Sequence, residues 1–492
     1  MFYLGIDEGT TGVTVVLFDK EMRPLARGYA KHTQYYPRPG WVEHDAEEVF
    51  ESVLSAVSDT LQEAGIEAGQ ITAIGIDHEG ESVVLWDART GKPVAPAIVW
   101  QDTRTAALCE SVGQRERIRS CTGLFPNAYF SASKIAWLLA HVPEAKALAE
   151  SGDLRAGNFD AFLAYRLSGG RIFATDPSTA SRTLLMDMQK GVWSEEMAEL
   201  WKIPLSILPE IRDSFGSFGN TDPEVFFGAS VPITALMCDQ QAALFGNHCF
   251  EEGQMKVTYG TGCFLLMNTG KRPVMSEHGL LPTVAWQRDG VRTYALDGGI
   301  YYAGAALQWL SEQAGILADV KKSGSIAAGL DDNGGVYFVP AFGGLAAPYW
   351  DTTATGTIIG LTAASASAHI VRAALESCAY QVADVLNAME TDSGIAVTEL
   401  RCDGGMTGNA FLMQFQADVT QKMVRTYSFP DVTARGIAMA AAVGAGEEAA
   451  FARQEEACAY SPVYSAQKAG ELQEEWHHAL KHARGFKDSG TI

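Results

Sequence analysis

The chain has little positive charge and no long hydrophobic run. Among its 492 residues, 37 are Lys or Arg and 59 are Asp or Glu, so the formal net charge is −22. Nucleic acids and anionic lipid surfaces attract basic proteins, so this balance argues against both as partners. No stretch approaches the roughly 18 consecutive apolar residues of a membrane-spanning helix. We therefore expect no nucleic-acid binding and no membrane insertion.

The sequence also lacks closely spaced cysteine motifs and the pattern of a signal peptide. The eight cysteines include no C-x-x-C pair and no metal-ligand spacing, which predicts free, buried thiols in a reducing compartment. The N-terminal residues MFYLGIDEG lack the basic region and the apolar stretch of a signal peptide. These features predict a cytoplasmic protein, and the length is typical of roughly two to four domains.

What the sequence does contain is a repeated pattern of strands, Gly/Thr-rich turns and helices. A turn at Gly9 separates two predicted strands, and a similar turn at Gly260 lies 251 residues further on, about half the chain. This repeat predicts an α/β protein of two similar lobes, residues 1–249 and 250–492, with a ligand cleft between them. The predicted strands are residues 3–7, 13–18, 24–31, 71–77, 83–86, 256–259, 263–267, 291–296 and 400–403. The predicted helices are residues 45–64, 301–313 and 368–391, and one from about residue 409.

Both turns have the composition of phosphate-binding loops. In the first turn, backbone amides and threonine hydroxyls can hold phosphate oxygens, and Asp7 at the strand end can hold a divalent cation. The second turn, Gly260 to Gly262, is a weaker signal for phosphate binding when it is taken alone. Two such turns, however, can hold one nucleotide between the lobes. Ordinary hairpin turns remain the alternative for both.

Four further features carry possible chemistry. The segment from Asp403 to Asn409 joins a strand to a helix, where amides can face a nucleotide, although a plain turn has the same pattern. Asp239 follows an apolar run, and its carboxylate can either accept a proton from an attacking hydroxyl or cap a helix. Aromatic residues near these segments are either core or ligand walls. An acidic cluster in a short strand connection has a composition that is compatible with solvated surface; its residues are Asp77, Glu79 and Glu81.

Taken together, several motifs resemble the FGGY family of carbohydrate kinases over nearly the whole chain. They are YPRPGWVEHD at residues 36–45, AIVWQ at 97–101, STASR at 178–182, DQQAALFG at 239–246, TYGTGCF at 258–264, PYWD at 348–351 and NAFLMQFQ at 409–416. Within that family the similarity is highest to members that phosphorylate glycerol. The resemblance implies two ribonuclease-H-like lobes of the actin and hexokinase type around an ATP cleft. It also implies Mg²⁺, a small polyol or sugar substrate, and a homodimer or homotetramer.

The resemblance also assigns roles to individual residues. It makes Asp239 the catalytic base and Asp7 the magnesium-binding residue. It places the nucleotide against Thr10, Thr11, Gly260, Thr261, Gly262, Gly304, Gln308, Gly405 and Asn409. It places the substrate against Gly80, Glu81, Trp100, Tyr129, Asp239, Gln240 and Phe264.

Three positions depart from the glycerol-phosphorylating pattern. Gly80 and Thr14 stand where that pattern has Arg, and Glu8 stands where it has Gln. These changes predict a more negative pocket with room at Gly80 for a longer polyol or a ketose of four or five carbons, and weaker use of glycerol. An actin-like ATPase with a protein partner and a degenerate nucleotide-binding paralogue stay open as alternatives. ADP formation that depends on an added polyol would separate the kinase from both.

Overall fold

The computed structural model describes residues 1–447 and 456–484. Its framework is two mixed β-sheets, one in each half of the chain, with helices packed on their faces. None of the helices in the described ranges combines the length and apolarity needed to cross a lipid bilayer. The eight cysteines are free; six are buried as predicted, whereas Cys121 is half-buried and Cys458 is exposed.

The first sheet has six strands in the order β5-β6-β4-β1-β2-β3. Its strands are β1 (Phe2–Gly9), β2 (Gly12–Asp19), β3 (Pro24–Lys31), β4 (Ala73–His78), β5 (Phe215–Asn220) and β6 (Pro232–Cys238). β1, β2 and β3 form an antiparallel meander, whereas β4 runs parallel to β1 and β6 parallel to β4. Parallel strands end at the same edge, so the polar residues that follow β1, β4 and β6 meet there.

The second sheet repeats this arrangement. Its strands are β7 (Met255–Tyr259), β8 (Cys263–Gly270), β9 (Leu281–Arg288), β10 (Val291–Ile300), β11 (Glu399–Asp403), β12 (Met423–Tyr427) and β13 (Glu456–Tyr460). Here β7, β8 and β10 form the antiparallel meander, and β11 and β12 run parallel to β7. The strands on either side of each Gly/Thr-rich turn are therefore confirmed, while β5, β9, β12 and β13 were not predicted.

Helices connect the strands and cover both sheets. They are α1 (Ala46–Ala64), α2 (Ala106–Val112), α3 (Arg115–Thr122), α4 (Ser131–His141), α5 (Pro143–Ser151), α6 (Phe159–Leu167), α7 (Pro177–Ala180), α8 (Glu195–Trp201), α9 (Asp239–Gly246), α10 (Gly304–Glu312), α11 (Ser323–Ala328), α12 (Ser367–Ser393), α13 (Ala410–Thr420), α14 (Val432–Gly444) and α15 (Ala466–Ala483). Short strands outside the two sheets are Gln34–Tyr35, Glu43–His44, Val84–Asp87, Ala97–Ile98, Leu154–Gly157, Ala174–Thr175, Met186–Asp187, Val192–Trp193, Glu210–Ile211, Tyr337–Val339 and Thr357–Ile359.

Helix α1 shows how local sequence sets an element's ends. The Asp45 side chain accepts a hydrogen bond from the Glu47 amide at 3.0 Å, and Gly65 ends the helix in the left-handed region at φ 65°. The spacing of Asp45 and Glu48 in the sequence predicts a capping box, but the box does not form. The Glu48 carboxylate instead accepts hydrogen bonds from the Thr33 amide and hydroxyl at 2.9 and 2.8 Å.

Helix α14 joins the two halves of the molecule. It comes from the second half of the chain but packs on β1, β4 and α9 of the first half. Its close approach depends on glycine, since a Cβ on Gly436 would lie 1.9 Å from the Ala242 carbonyl oxygen. The buried core around α14 also contains Leu266 and Trp286 of the second sheet. The two lobes therefore share one continuous apolar core beside the cleft.

Candidate active site

A small polar cavity of about 140 Å³ lies between the two halves of the chain. Its walls come from Thr10, Glu79, Gly80, Glu81, Trp100, Tyr129, Arg182, Cys238, Asp239, Gln240, Gln241, Phe264 and Asp297. All seven residues predicted to hold the substrate are in this set. They come from distant parts of the sequence, and the fold places them around one space.

Arg182 lines the same cavity and has a functional position that sequence reasoning missed. Its Nε donates to a Glu81 carboxylate oxygen at 2.6 Å, and its Nη2 lies 2.9 Å from Asp297 Oδ2. Burial lowers the pKa of Arg182, but the two carboxylates outweigh burial and hold that pKa well above its usual value. The cavity therefore contains a fixed cation. The motif STASR at residues 178–182 was the available signal, although it was used only as a mark of resemblance.

Asp239 lies at the junction of β6 and α9. Helix α9 begins at Asp239 with Cys238 in the N-cap position, but the Asp239 carboxylate accepts from an amide of the first turn, so a helix-capping role of Asp239 stays open as the alternative. Its Oδ1 accepts from the Gln240 amide at 2.6 Å and its Oδ2 from the Gln240 side chain at 2.9 Å. Gln240 is held in turn by the buried Lys256 ammonium. These contacts fix the orientation of the Asp239 carboxylate at the cavity wall.

Two further carboxylates lie close to Asp239 at the edge of the first sheet. Asp7 and Asp77 are register partners on the parallel strands β1 and β4. Burial, with the Asp239 charge as the next cause, raises the pKa of Asp7 to about 7. Burial also raises the pKa of Asp77, and its carboxylate has no polar neighbour closer than the Asp7 carboxylate. Carboxylate oxygens are the ligands that Mg²⁺ prefers, so this group fits a hard divalent cation.

The acidic cluster is not solvated surface, and that interpretation is wrong. The exposed fractions of Asp77, Glu79 and Glu81 are 0%, 2% and 4%. The buried strand β4 ends within this segment, and the following turn folds back over the cavity with Glu81 in the left-handed region at φ 59°. A non-glycine residue in that region is unusual and often marks a functional turn.

The first phosphate turn is connected directly to the cavity. The Thr10 hydroxyl accepts a hydrogen bond from Trp100 Nε1 at 3.1 Å. Thr10 therefore contacts a substrate wall, whereas Thr11 is exposed at the tip of the turn. A phosphate group on this turn would lie beside the substrate space.

The second turn is supported by helix α10. The Gly260 amide donates to the Gly262 carbonyl at 2.9 Å, and the Gly304 amide donates to the Gly260 carbonyl at 3.1 Å. A Cβ on Gly304 would lie 2.7 Å from that carbonyl and 3.3 Å from Met406 Sδ. Gly304 thus packs between the turn and a second cavity that Met406 lines.

The second cavity has a volume of about 520 Å³. It is lined by Leu307, Val320, Lys321, Ser323, Gly324, Ser325, Ala328, Gly405, Met406, Gly408, Asn409, Ala410 and Phe411. Gly405 and Asn409 were predicted to contact the nucleotide, and Asn409 also caps α13 by accepting from the Leu412 amide at 3.1 Å. Gln308 is not part of this lining: it is exposed, and its amide donates to Glu312 at 2.9 Å. Its predicted nucleotide contact stays a prediction.

The extra space predicted at Gly80 is not present. The φ of Gly80 lies outside the left-handed region, so its backbone would accept a side chain. However, a Cβ there would lie 2.6 Å from Cys238 Sγ. The Cys238 thiol therefore occupies the volume that a side chain at position 80 would enter. The substitutions at Gly80, Thr14 and Glu8 predicted a more negative pocket. Arg182 adds a positive charge to the cavity that this prediction did not include.

The chain belongs to the FGGY family of carbohydrate kinases. Residues 2–246 match the N-terminal domain of this family and residues 255–445 match its C-terminal domain. The two-lobe α/β fold and the ATP-dependent kinase activity expected from the sequence are therefore confirmed.

Individual relatives make the similarity more specific. The chain is 48% identical to a glycerol kinase of Halorhodospira halophila over 92% of this chain and 90% of that protein. It is 43% identical to a glycerol kinase of Bacillus subtilis, over 99% of each. Among solved structures, Plasmodium falciparum glycerol kinase with ADP matches with a TM-score of 0.91 and 34% identity, over 98% of each chain. A xylulose kinase from Brucella ovis shares the fold at a TM-score of 0.87 and 23% identity, over 98% of each chain.

Proposed function

We propose that this kinase transfers the γ-phosphoryl group of ATP to a hydroxyl of glycerol. The single observation that carries the proposal is the cavity of about 140 Å³ lined by all seven predicted substrate residues. Pockets for larger ligands measure about 300–1,000 Å³, so this one favours a three-carbon substrate. The relatives at 43–48% identity that carry the name glycerol kinase support the same substrate.

The chemistry follows from the positions of three groups. Asp239 at the cavity wall takes the proton from the substrate hydroxyl, since its carboxylate is oriented by the two hydrogen bonds from Gln240. The turns at Gly9 and Gly260 hold the phosphate groups through their amides. Arg182, with Glu81, holds the substrate hydroxyls, because a guanidinium donates and a carboxylate accepts hydrogen bonds.

Mg²⁺ is the cofactor that the carboxylates beside Asp239 would hold. Asp7 and Asp77 would hold it, directly or through water, and it would neutralise charge on the transferring phosphoryl group. We expect Asp7→Ala to abolish the increase of kcat with added Mg²⁺ while glycerol binding without nucleotide is retained. Rate titration with Mg²⁺ and calorimetry with glycerol measure these two properties. An unchanged magnesium response would leave the first turn without a metal role.

A coupled assay of ADP formation tests the substrate. We would compare glycerol, erythritol, xylitol and xylulose at equal concentrations, with a reaction lacking any acceptor as control. The highest kcat/KM on glycerol supports the proposal, and a higher value on a four- or five-carbon compound overturns it in favour of the longer substrate. ADP formation without acceptor would favour the ATPase, and no turnover with any compound would favour the degenerate paralogue.

We also propose a cytoplasmic homodimer or homotetramer. The support is the family resemblance together with the absence of a spanning helix in the described residues. Light scattering on the eluting peak of a size-exclusion column measures the mass directly. A mass near 53 kDa, that of one chain of 52.9 kDa, would refute the oligomer.

A further inference from the structure

A group of buried imidazole and carboxylate side chains lies directly behind the first phosphate turn, and the proposed reaction does not use it. Its members are Glu8, His32, His44 and Glu79, with exposed fractions of 0%, 7%, 0% and 2%. Glu8 precedes the turn at the end of β1, His32 follows β3, and His44 precedes the cap of α1. Glu79 follows β4, so four separate segments converge behind Thr10.

The side chains are close enough to share one ion. One potential ligand atom each from Glu8, His32 and His44 lies within 4.8 Å of the others. His32 Nε2 is 3.9 Å from Glu8 Oε1, and the two imidazole rings are 4.6 Å apart at an angle of 72°. Ligand atoms around a tetrahedral zinc ion are about 3.3 Å apart, given bonds of about 2.0 Å. The observed separations, up to 4.8 Å, are longer than that spacing, so binding of an ion would have to draw the side chains together.

Several polar atoms of the group lack hydrogen-bond partners. Within the described residues, Glu8 Oε1 and His32 Nδ1 are buried without one, and the His44 ring and Glu79 Oε2 have no polar neighbour closer than Thr10 and each other. His32 Nε2 donates to the Gly9 carbonyl oxygen at 2.9 Å, so the lone pair of this ring is on Nδ1, and Nδ1 is the nitrogen available to an ion. A buried polar group without a partner costs free energy, so several together at one point indicate a missing partner. A single cation would satisfy the carboxylates and the imidazole lone pairs at once.

We propose that Glu8, His32 and His44 form a binding site for one divalent transition-metal ion, with Zn²⁺ as the best fit. Glu79 completes the site, since its Oε1 lies 3.5 Å from His44 Nδ1. Two imidazoles with carboxylates favour zinc or a neighbouring first-row metal over Mg²⁺ and Ca²⁺, which prefer all-oxygen ligands. The site is distinct from the carboxylates of Asp7, Asp77 and Asp239.

The protonation states of the group agree with this assignment. Burial lowers the pKa of His32, and it lowers the pKa of His44 to about 3, so both rings are neutral and carry a lone pair.

The position of the site gives the ion a positioning role. Glu8 is followed directly by Gly9 and Thr10, and Glu79 is followed directly by Gly80 and Glu81. An ion held by Glu8 and Glu79 would fix the phosphate turn and the substrate turn relative to each other. This consequence rests on the proposed kinase function, but the presence of the ion does not.

Metal content and spectroscopy test the site on the full-length protein. We would strip the purified chain with chelator, add Zn²⁺ or Co²⁺ in the presence of excess Mg²⁺, and remove unbound metal. Mass spectrometry should find one ion per chain, and Co²⁺ should give the visible absorption of a four-coordinate N/O site. Zn²⁺ should also raise the Tm. Stripped wild-type protein that retains its fold but takes up no stoichiometric Zn²⁺ or Co²⁺ would overturn the proposal.

Variants locate the ion. Glu8→Gln and His32→Ala should each weaken binding by more than the roughly 10- to 100-fold that is typical of outer-shell residues. The control is His482→Ala, because His478 and His482 form an exposed pair with ring centroids 5.2 Å apart on α15. Binding lost in His482→Ala and kept in Glu8→Gln would assign the metal to the surface and refute the buried site. Circular dichroism measures whether each variant is folded. If a variant does not fold, the titration of the wild-type protein still tests the proposal.

Discussion

Asp239 is the residue on which the proposed chemistry depends most directly. Asp239→Asn keeps the shape of the side chain but removes the capacity to take a proton. Since general-base catalysis contributes about 10²–10⁴-fold in rate, we expect kcat to fall by that factor with little change in ATP affinity. Steady-state kinetics and nucleotide titration measure both. Asp59→Asn on the exposed face of α1 is the matched control, and near-normal turnover in Asp239→Asn would remove Asp239 from the mechanism.

Cys238 is expected to limit the length of the substrate. Its thiol fills the volume beside Gly80, so Cys238→Ala should enlarge the cavity there. We expect kcat/KM on erythritol relative to glycerol to rise up to about 10-fold, the lower end of discrimination by one methylene-sized group. The same substitution at Cys378, buried on α12, is the control for a general loss of packing. An unchanged ratio would show that another wall sets the length.

Sequence patterns identify residues at strand ends and turns, but they do not show which distant residues come into contact. Strand ends and glycine turns mark Asp7, Thr10 and Asp239 as candidates because those signals are local. The contact between Gly80 and Cys238 joins residues 158 positions apart, and no local pattern contains it. Burial of Glu79 was missed for the same reason, since a run of acidic residues has the composition of a solvated surface whatever covers it.

At the crossing of helices α9 and α14, the close contact at Gly436 predicts a specific effect of mutation on stability. Gly436→Ala would improve helix propensity by about 1 kcal/mol, but its Cβ would overlap the Ala242 carbonyl. Overpacking of a buried contact costs about 1–3 kcal/mol, so we expect a lower Tm, measured by calorimetry. Gly470→Ala on α15 is the control, because no atom lies within 4 Å of its Cβ position, and it should leave the Tm equal or higher. A Gly436→Ala variant as stable as wild type would show that the two helices can separate freely.

Helices and strands could be predicted where the sequence has a clear apolar periodicity or a characteristic residue at the end of the element. The 27-residue helix α12 ends at Gly394 with φ 69°, as its apolar period and terminal glycine indicate. Strand β9 was missed because it is antiparallel to β10 and its pattern has no clear alternation. The docking of α14 on the first sheet depends on tertiary contacts across hundreds of residues, so its Ala/Gly-rich sequence showed only that it is short and apolar.

For the whole molecule, the repeat of two similar turns predicted two lobes, and both sheets show the corresponding strand order. The boundary at residues 249 and 250 stays a prediction. Because α14 crosses back to the first sheet, the second half of the chain contributes to the core of the first. A division by sequence position cannot represent such an exchange.

For the whole molecule, we expect the cleft to close when both ligands bind. The substrate cavity takes Trp100 and Glu81 from the first half and Phe264 and Asp297 from the second, so ligands in it contact both lobes. Small-angle scattering should give a smaller radius of gyration with glycerol and a non-hydrolysable ATP analogue than for the free protein. Each ligand alone is the control, and Asp239→Asn should still close because it retains the binding contacts. An unchanged radius at saturating concentrations of both ligands would mean that water is excluded by the preformed walls and not by lobe motion.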